Sequence, residues 1–388
     1  MLTTLAIANY RSLRDLVVPL GPLNVVTGAN GSGKSNLYRA LRLLAQTAQG
    51  GVTASLAREG GLDSALWAGP ESFSRGMKRG EVPVQGGPRR EPVSLRLGFT
   101  GSEFGYAIDL GLPPPRDKSA FNQDPEIKRE CIWAAPVFRP AALLVDRRGA
   151  LVRVRADKGD WDEVSRDLAR FDSVLARVAD PQRTPEVIAL RDQIRSWRFY
   201  DHFRTDVEAP ARQSQIGTYT PVLDDEGRDL AAALQTIHEI GDTEALDEAV
   251  GDAFPGTTLS IRHDRGRFEI ELRQHGLLRS LSAAELSDGM LRYLLLIAVM
   301  LTPRPPQLMV FNEPETSLHP DLLPALARLI ARASARSQVW VVSHSPGLVA
   351  SLEKQKGCNS IVLEKQLGET VVNGNSMLEK PSWTWPGR

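Results

Sequence analysis

The sequence predicts an α/β fold organised around a phosphate-binding loop, and three observations lead to this prediction. Residues 28–35 fit the Walker A pattern G-x-x-x-x-G-K-[ST]. The preceding run, residues 23–27, is short, apolar and rich in β-branched residues, as is typical of a buried strand. The following run places Leu37, Leu41 and Leu44 at helical spacing. A strand, a glycine-rich loop and a helix in this order are the context in which the motif binds phosphate.

The loop residues have definite expected roles. Glycines let the backbone turn so that successive N–H groups point into one concavity, and the helix N-terminus below it favours anions. We expect Lys34 to reach the β- and γ-phosphates and the Ser35 hydroxyl to bind Mg²⁺. The predicted ATP-binding residues of the loop are Gly28, Asn30, Gly31, Ser32, Gly33, Lys34, Ser35 and Asn36. A nucleoside triphosphate and Mg²⁺ are therefore the expected ligands.

Composition excludes several classes of protein. The 388 residues contain 47 Lys and Arg against 47 Asp and Glu, so net charge does not indicate a nucleic-acid or acidic membrane partner. Cys131 and Cys358 are the two cysteines, which fits a reducing compartment and excludes a cysteine-only zinc site. The N-terminus lacks an apolar signal segment, and the apolar run 294–301 is too short for a membrane helix. We therefore expect a cytoplasmic protein without a membrane partner.

The first 155 residues are predicted to be rich in strands. Period-2 alternation and turn residues predict strands over 2–9, 16–20, 93–99, 105–110, 142–145 and 150–154. Residues 50–92 are rich in Gly, Pro, Ser and Arg and are predicted to form a long, mobile surface loop. The basic residues of this loop are Arg75, Lys78, Arg79, Arg89 and Arg90. They could contact nucleic-acid phosphates, but a solvated loop is the favoured interpretation.

Between residues 161 and 204 the hydrophobic period changes from 2 to 3.6. One apolar stripe comprises Val164, Leu168, Phe171, Leu175 and Val178, and a second comprises Leu190, Ile194 and Trp197. We expect two helices of about 20 residues, each roughly 30 Å long, followed by helices over 229–240 and 243–254. The run 197–204 mixes aromatic and basic residues as base-stacking surfaces do, but aromatic residues at helical spacing more often belong to a core.

The last third of the chain contains three further motifs. Residues 286–292 begin with Leu-Ser-Asp-Gly, and Ser287 is placed to cap an apolar helix over 290–301. Such a helix terminus can hold a γ-phosphate, although an ordinary N-cap explains Ser287 equally well. An apolar strand ends in Asn312 and Glu313, and the strand predicted over 338–342 leads to His344. Hairpins are expected over 258–272 and 359–372.

Together these motifs resemble those of RecF- and SMC-like ATPases, a branch of the ABC class. The resemblance rests on the pair Arg11-Ser12 before the loop, on Leu-Ser-Asp-Gly in place of Leu-Ser-Gly-Gly, and on the run Glu-Thr-Ser-Leu-His-Pro at 315–320. That run is typical of the stand-alone ATPases closest to RecF, to which the overcoming-lysogenisation proteins are related. The resemblance implies an ABC-type P-loop ATPase head of the α/β class, with a mostly parallel central sheet, an antiparallel β lobe and an inserted helical lobe.

The resemblance also implies roles for individual residues. Glu313 would polarise the attacking water, Lys34 would neutralise phosphate charge, and His344 would be the switch histidine that contacts the γ-phosphate. Arg11 would contact the nucleotide, unless it is an ordinary surface arginine. Asn312 stands where the family has an acidic residue, so Mg²⁺ binding by Ser35 and Asn312 is expected to be weaker. The residues expected to complete the site of a second protomer are Ser287, Asp288 and Gly289.

The same family implies a domain plan and a function. We expect one compound domain over 1–388, with a Walker A half and β lobe in 1–155, a helical insertion in 156–255, and a signature, Walker B and switch half in 256–388. The predicted function is ATP hydrolysis in which ATP-driven dimerisation of two heads acts on duplex DNA, in repair or phage defence. The alternative is an ATP-gated switch that binds a protein partner, hydrolyses slowly and does not contact DNA. For the family's Mg²⁺-sensing glutamine, Gln123 is the best positional candidate.

Overall fold

The computed structural model describes residues 1–86, 92–115, 119–134, 136–156, 159–374 and 381–388. The chain divides into two compact units. The first unit comprises Met1–Leu20, Gly28–Ser196 and Ile361–Arg388, and the second comprises Gly21–Thr27 and Trp197–Ser360. The three-part division expected from the sequence stays a prediction.

Strands and helices alternate along the second half of the chain, whereas strands dominate the first. The strands are β1 (Leu2–Tyr10), β2 (Leu13–Pro19), β3 (Leu23–Gly28), β4 (Leu95–Gly101), β5 (Phe104–Gly111), β6 (Glu126–Ala134), β7 (Leu143–Arg148), β8 (Leu151–Arg155), β9 (Trp161–Ser165), β10 (Arg198–Tyr200), β11 (Gln215–Ile216), β12 (Thr257–Asp264), β13 (Arg267–Gln274), β14 (Leu281–Ser282), β15 (Leu308–Asn312), β16 (Gln338–Val342), β17 (Cys358–Gln366) and β18 (Glu369–Val372). The helices are α1 (Lys34–Thr47), α2 (Val52–Arg58), α3 (Leu62–Ala65), α4 (Arg75–Arg79), α5 (Val174–Arg177), α6 (Pro185–Arg195), α7 (Leu230–Ile240), α8 (Thr243–Ala253), α9 (Asp288–Met300), α10 (Leu323–Ser334) and α11 (Pro346–Glu353).

An antiparallel sheet forms the body of the first unit, which confirms the predicted β lobe. Its strand order, within the described residues, is β2-β1-β4-β5-β6-β7-β8-β9. Apolar side chains of its strands, such as Ile7, Phe99 and Trp133, are fully buried. Helix α1 buries Leu37, Leu41 and the other apolar residues of the stripe that predicted it.

A parallel sheet forms the centre of the second unit. Strands β10, β15, β16 and β3 pair in this order, all parallel. Every residue of β16 is buried, which fits the continuous apolar runs of parallel strands covered on both faces. In this register Asn312 of β15 lies beside Val342 of β16, and Val342 lies beside Val26 of β3. The carboxyl ends of β15, β16 and β3 therefore meet at one edge of the sheet. Glu313 follows β15 and His344 follows β16 at this edge.

Two predictions of local structure are wrong. Residues 50–92 are not one long loop, because they contain α2, α3 and α4 and bury Leu56, Leu62 and Trp67. Buried apolar side chains anchor α2 (Val52 and Leu56) and α3 (Leu62 and Ala65), whereas α4 has no buried residue. Of the basic residues in this stretch, Arg89 and Arg90 lie outside the described residues.

The first of the two long helices predicted between 161 and 204 is also absent from the described chain. Trp161–Ser165 instead forms β9, which pairs with β8, and Val174–Arg177 forms the four-residue helix α5. Strand β8 supplies a pairing partner for residues 161–165, and such tertiary pairing overrides a local helical period. The second helix exists as α6 but has 11 residues. The aromatic residues Trp197, Tyr200 and Phe203 are buried, so the prediction that they belong to a core is confirmed.

Candidate nucleotide-binding site

The phosphate loop lies between β3 and α1, as the sequence predicts. Gly28, Gly31 and Gly33 all have positive φ, at 143°, 78° and 112°. A side chain at Gly28 would meet Ser32 Oγ at 2.7 Å and would clash with the Leu363 carbonyl oxygen. The glycines at 28 and 33 are therefore required both by the backbone conformation and by the space available.

Lys34 begins α1 and lies across this loop. Its buried ammonium donates to the carbonyl oxygens of Gly28 at 2.5 Å and Ala29 at 2.9 Å. The N-cap residue of α1 is Gly33, which has no side chain to cap the helix. Asn30, Gly31 and Ser35 are exposed at the surface of the loop. An uncapped helix terminus, a lysine and exposed loop residues are a suitable arrangement for an anion.

One buried hydroxyl of the loop is unpaired. Ser32 Oγ has no hydrogen-bond partner within the described part of the chain, although Ser32 is only 2% exposed. Buried polar atoms are normally hydrogen-bonded, so an orphaned hydroxyl indicates a missing partner. A phosphate oxygen would provide one, and the loop therefore fits a nucleotide.

Arg11, between β1 and β2, and Asn36, in α1, already contact other side chains. The Arg11 guanidinium donates to Glu59 Oε2 at 2.8 Å, and the Tyr10 hydroxyl donates to the same oxygen at 2.7 Å. Burial, followed by the Glu59 carboxylate, raises the pKa of Tyr10. The Asn36 side-chain amide donates to Ser12 Oγ at 2.8 Å. Nucleotide contacts by Arg11 and Asn36 stay predictions.

A second group of residues lies at the carboxyl edge of the parallel sheet. The Glu313 N–H donates to the Val342 carbonyl oxygen at 2.8 Å, so the chain after β15 stays beside β16. Glu313 has φ of 52°, a rare conformation for a residue with a side chain. His344 Nε2 lies 3.1 Å from Glu313 Oε1, and both side chains are about half exposed. The structure thus brings together the predicted water-activating residue and the predicted switch histidine.

Glu315 holds the turn that carries His344. Its Oε1 accepts hydrogen bonds from Ser343 Oγ at 2.6 Å, from the His344 N–H at 3.0 Å and from the Ser345 N–H at 3.1 Å. Its second carboxylate oxygen is buried and has no hydrogen-bond partner among the described residues. In the sequence, Glu315 appears only as the first residue of the run at 315–320. The three bonds indicate that it positions the histidine turn.

The signature residues lie at the N-terminus of α9. Ser287 accepts a hydrogen bond from the Met290 N–H at 3.3 Å, so the predicted N-cap is confirmed. Asp288, which replaces the usual glycine, accepts a hydrogen bond from Arg212 Nη2 at 2.7 Å. Arg212 also donates to the Leu286 carbonyl oxygen at 2.6 Å. Arg212 lies far from the motif in sequence and carries no pattern that could have identified it.

Arg292 connects the same helix to the turn at Glu313. Its side chain is buried, and Nη2 donates to the Glu313 carbonyl oxygen at 3.3 Å, while Nη1 lies 3.1 Å from His202 Nδ1. Burial lowers the pKa of Arg292, and the nearby carboxylates of Glu315 and Glu313 oppose this shift. His202 thus serves as a contact of this arginine.

Two kinds of feature are absent from the described residues. Among the residues that the structure describes, no three or more His, Cys, Asp and Glu side chains are grouped to hold a metal ion. In the same ranges no helix is both long and apolar enough to cross a bilayer. Mg²⁺ is commonly bound by one or two protein groups together with substrate phosphates and water. Mg²⁺ binding by the Ser35 hydroxyl and the Asn312 amide oxygen stays a prediction.

The chain is similar to several known proteins. A family model described as "AAA domain, putative AbiEii toxin, Type IV TA system" matches residues 23–350. The DNA replication and repair protein RecF of Corynebacterium jeikeium is 27% identical over 283 residues, which are 65% of this chain and 66% of that protein. OLD nuclease of Thermus scotoductus is 46% identical over 44 residues, which are 11% of this chain and 8% of that protein. The chain thus spans less than two thirds of either relative.

A solved structure supports the fold. An SMC head bound to the C-winged helix domain of ScpA superimposes with a TM-score of 0.51 and 15% identity, covering 98% of this chain and 99% of that chain. At this identity the likeness concerns the fold alone, and it confirms the predicted α/β ATPase-head architecture. The family model covers most of the chain and includes the signature, Walker B and histidine motifs. The chain therefore belongs to this AAA family and is a RecF-, SMC- and OLD-like ATPase of the ABC class.

Proposed function

We propose that this protein binds ATP at the phosphate loop and hydrolyses it with Glu313 as the residue that activates water. The observation that carries this proposal is the pairing of Glu313 with His344, 3.1 Å apart at the edge where β15 and β16 end. Strand β3 ends at the same edge of that sheet and continues directly into the phosphate loop.

The proposed roles follow from the chemistry of each group. Phosphoryl transfer needs positioning and charge stabilisation more than covalent participation by the protein. Lys34 and the loop N–H groups would neutralise phosphate charge. Glu313 would orient water and accept its proton. His344 would contact the γ-phosphate, and its position beside Glu313 would couple the two groups.

Ser35 and Asn312 are the proposed metal ligands. Mg²⁺, when bound, would neutralise charge that develops on the phosphates. An amide oxygen carries no formal charge, so Asn312 binds a hard cation more weakly than a carboxylate does. Ser35 and Asn312 therefore suit a metal ion whose other ligands come largely from the nucleotide.

We further propose that two heads share each nucleotide. Ser287, Asp288 and Gly289 of one protomer would contact the γ-phosphate bound to Lys34 of the other. Ser287 is exposed at the start of the 13-residue helix α9, where a helix N-terminus favours an anion. ATP binding would then close a homodimer, and hydrolysis would open it.

We propose duplex DNA as the target of this cycle, because one relative is named for DNA replication and repair. A role in repair or phage defence would follow from such a target. The second candidate is a protein partner. It is favoured by the balanced charge of 47 basic against 47 acidic residues, and by the SMC head of similar fold, which is bound to a domain of the protein ScpA.

Hydrolysis measured with and without duplex DNA, across a range of salt concentrations, separates the two candidates. Stimulation by DNA that falls steeply with salt supports a DNA-directed ATPase, because phosphate contacts release counterions. A rate that DNA leaves unchanged at low salt contradicts it and favours the protein-binding switch.

A further inference from the structure

The phosphate loop is held from behind by a chain of hydrogen bonds that reaches the last strand. The Asn36 amide donates to Ser12 Oγ at 2.8 Å, and Ser12 Oγ lies 2.7 Å from Thr370 Oγ1. Thr370 Oγ1 in turn donates to the Ser32 carbonyl oxygen at 2.7 Å. All four residues belong to the first unit. The loop and the first turn of α1 are thus tied together through Ser12 and Thr370.

The two ends of this chain fix the direction of every bond in it. The Asn36 amide nitrogen can only donate, and the Ser32 carbonyl oxygen can only accept. Ser12 therefore accepts from Asn36 and donates to Thr370, and Thr370 donates to Ser32. Hydrogen bonds aligned in one direction polarise one another, and the effect is larger away from water. Ser12 is 7% exposed and Thr370 is 3% exposed.

The contact between Thr370 and Ser32 determines the orientation of one peptide of the loop. A trans peptide is planar, so its C=O and N–H point in opposite directions. Because the Ser32 carbonyl points to Thr370, the Gly33 N–H points to the opposite side. Gly33 has φ of 112°, and a side chain there would clash with Thr370 Oγ1. Thr370 therefore packs directly beneath the loop.

We infer that Thr370 is a positioning residue for phosphate binding, an inference that rests on the proposed ATP site. Its hydroxyl holds the Ser32–Gly33 peptide so that the Gly33 N–H faces the phosphate. The Thr370 N–H separately donates to the Ser12 carbonyl oxygen at 2.8 Å, which keeps the strand in place when the hydroxyl is removed. Loss of the hydroxyl should therefore free the peptide without displacing the strand.

The test compares Thr370→Val, which removes the hydroxyl, with Thr370→Ser, which keeps it. The matched control is Thr236→Val in α7, because Thr236 is 2% exposed and also makes two hydrogen bonds. Thr236 Oγ1 accepts from the Thr220 N–H at 2.9 Å and donates to the Ala232 carbonyl oxygen at 2.7 Å. The affinity of the full-length protein for a fluorescent ATP analogue with Mg²⁺ is measured together with the melting temperature without nucleotide.

We expect Thr370→Val to bind the analogue about tenfold more weakly, the effect of one lost hydrogen bond to a buried carbonyl. Thr370→Ser should bind like the wild type. Thr236→Val should lose as much melting temperature as Thr370→Val but keep its affinity. Equal affinity of Thr370→Val and wild type overturns the inference, as does equal weakening by Thr236→Val.

A second variant covers the case in which Thr370→Val does not fold. Thr370→Ala removes the same hydroxyl, and with it the bond to the Ser32 carbonyl oxygen, so it should also weaken binding. Unchanged binding by Thr370→Ala overturns the inference. Failure of the wild type to bind the analogue contradicts the proposed ATP site itself. Equal binding by the wild type and Thr370→Val is a different result, because it contradicts only the role of Thr370.

Discussion

Removing the Glu315 carboxylate should both destabilise the protein and slow catalysis. Glu315→Ala leaves three donors without their shared acceptor, at Ser343, His344 and Ser345. His344 is exposed, so water replaces the bond to its N–H. The Ser345 N–H keeps its contact with Ser343 Oγ at 3.0 Å. The main loss is the bond from the buried Ser343 hydroxyl to a carboxylate.

A charge-assisted bond of this kind contributes about 1.5–3 kcal/mol, so the free energy of unfolding should fall by about 2–4 kcal/mol once the weaker bonds are included. Glu315→Gln keeps an acceptor oxygen in the same place and should cost about 1 kcal/mol. The alanine variant should also lower kcat by at least about tenfold, because His344 loses its orientation. KM should change little, since the phosphate loop is untouched.

Urea denaturation and steady-state ATPase kinetics of the two Glu315 variants test this reasoning. The structure predicts that alanine is clearly worse than glutamine in both measurements. Equal unfolding free energies of the two variants, with the wild-type kcat in both, would refute the role assigned to this carboxylate. A glutamine variant as inactive as an alanine variant would instead indicate that Glu315 acts as a base.

Three other substitutions test the remaining assignments. Lys34→Ala should weaken ATP binding by at least about tenfold with the fold intact, because it removes a charged donor to phosphate; unchanged binding in calorimetry would contradict the loop assignment. Asn312→Asp should lower the Mg²⁺ concentration for half-maximal hydrolysis, and an unchanged or higher value in a titration would show that the amide does not limit metal binding. Lys34→Ala and Ser287→Arg homodimers should both be inactive, whereas their mixture should regain activity that rises with total protein concentration. A crosslinked heterodimer that neither hydrolyses nor traps ATP would argue against a shared site.

Sequence patterns located the elements that carry the site because those patterns are local. The phosphate loop is formed by consecutive residues, and β15 and β16 are short apolar runs that are followed by polar residues. Parallel pairing then brings Glu313 and His344 to one edge, as the motif order implied. The N-cap at Ser287 was likewise predictable from its own helix.

The residues that sequence reasoning missed act over long sequence separations. Thr370 supports a loop that begins at Gly28, and Arg212 binds Asp288. Their residue types are ordinary and no local period identifies them. The prediction of a helix across 164–178 is wrong for a related reason. The start of this segment belongs to β9, which pairs with β8, and residues 164–178 taken alone do not include that partner. Such contacts become visible only when the chain is folded.

The most direct measurement of the central claim is ATP turnover by the wild type and by Glu313→Gln under saturating ATP and Mg²⁺. Glutamine keeps the shape of Glu313 but cannot accept the proton of the attacking water. The proposed function predicts steady hydrolysis by the wild type, and it predicts a variant that binds ATP, hydrolyses little and accumulates as the closed dimer. Equal turnover by both proteins would contradict the role of Glu313, and no turnover by the wild type would contradict the proposed activity.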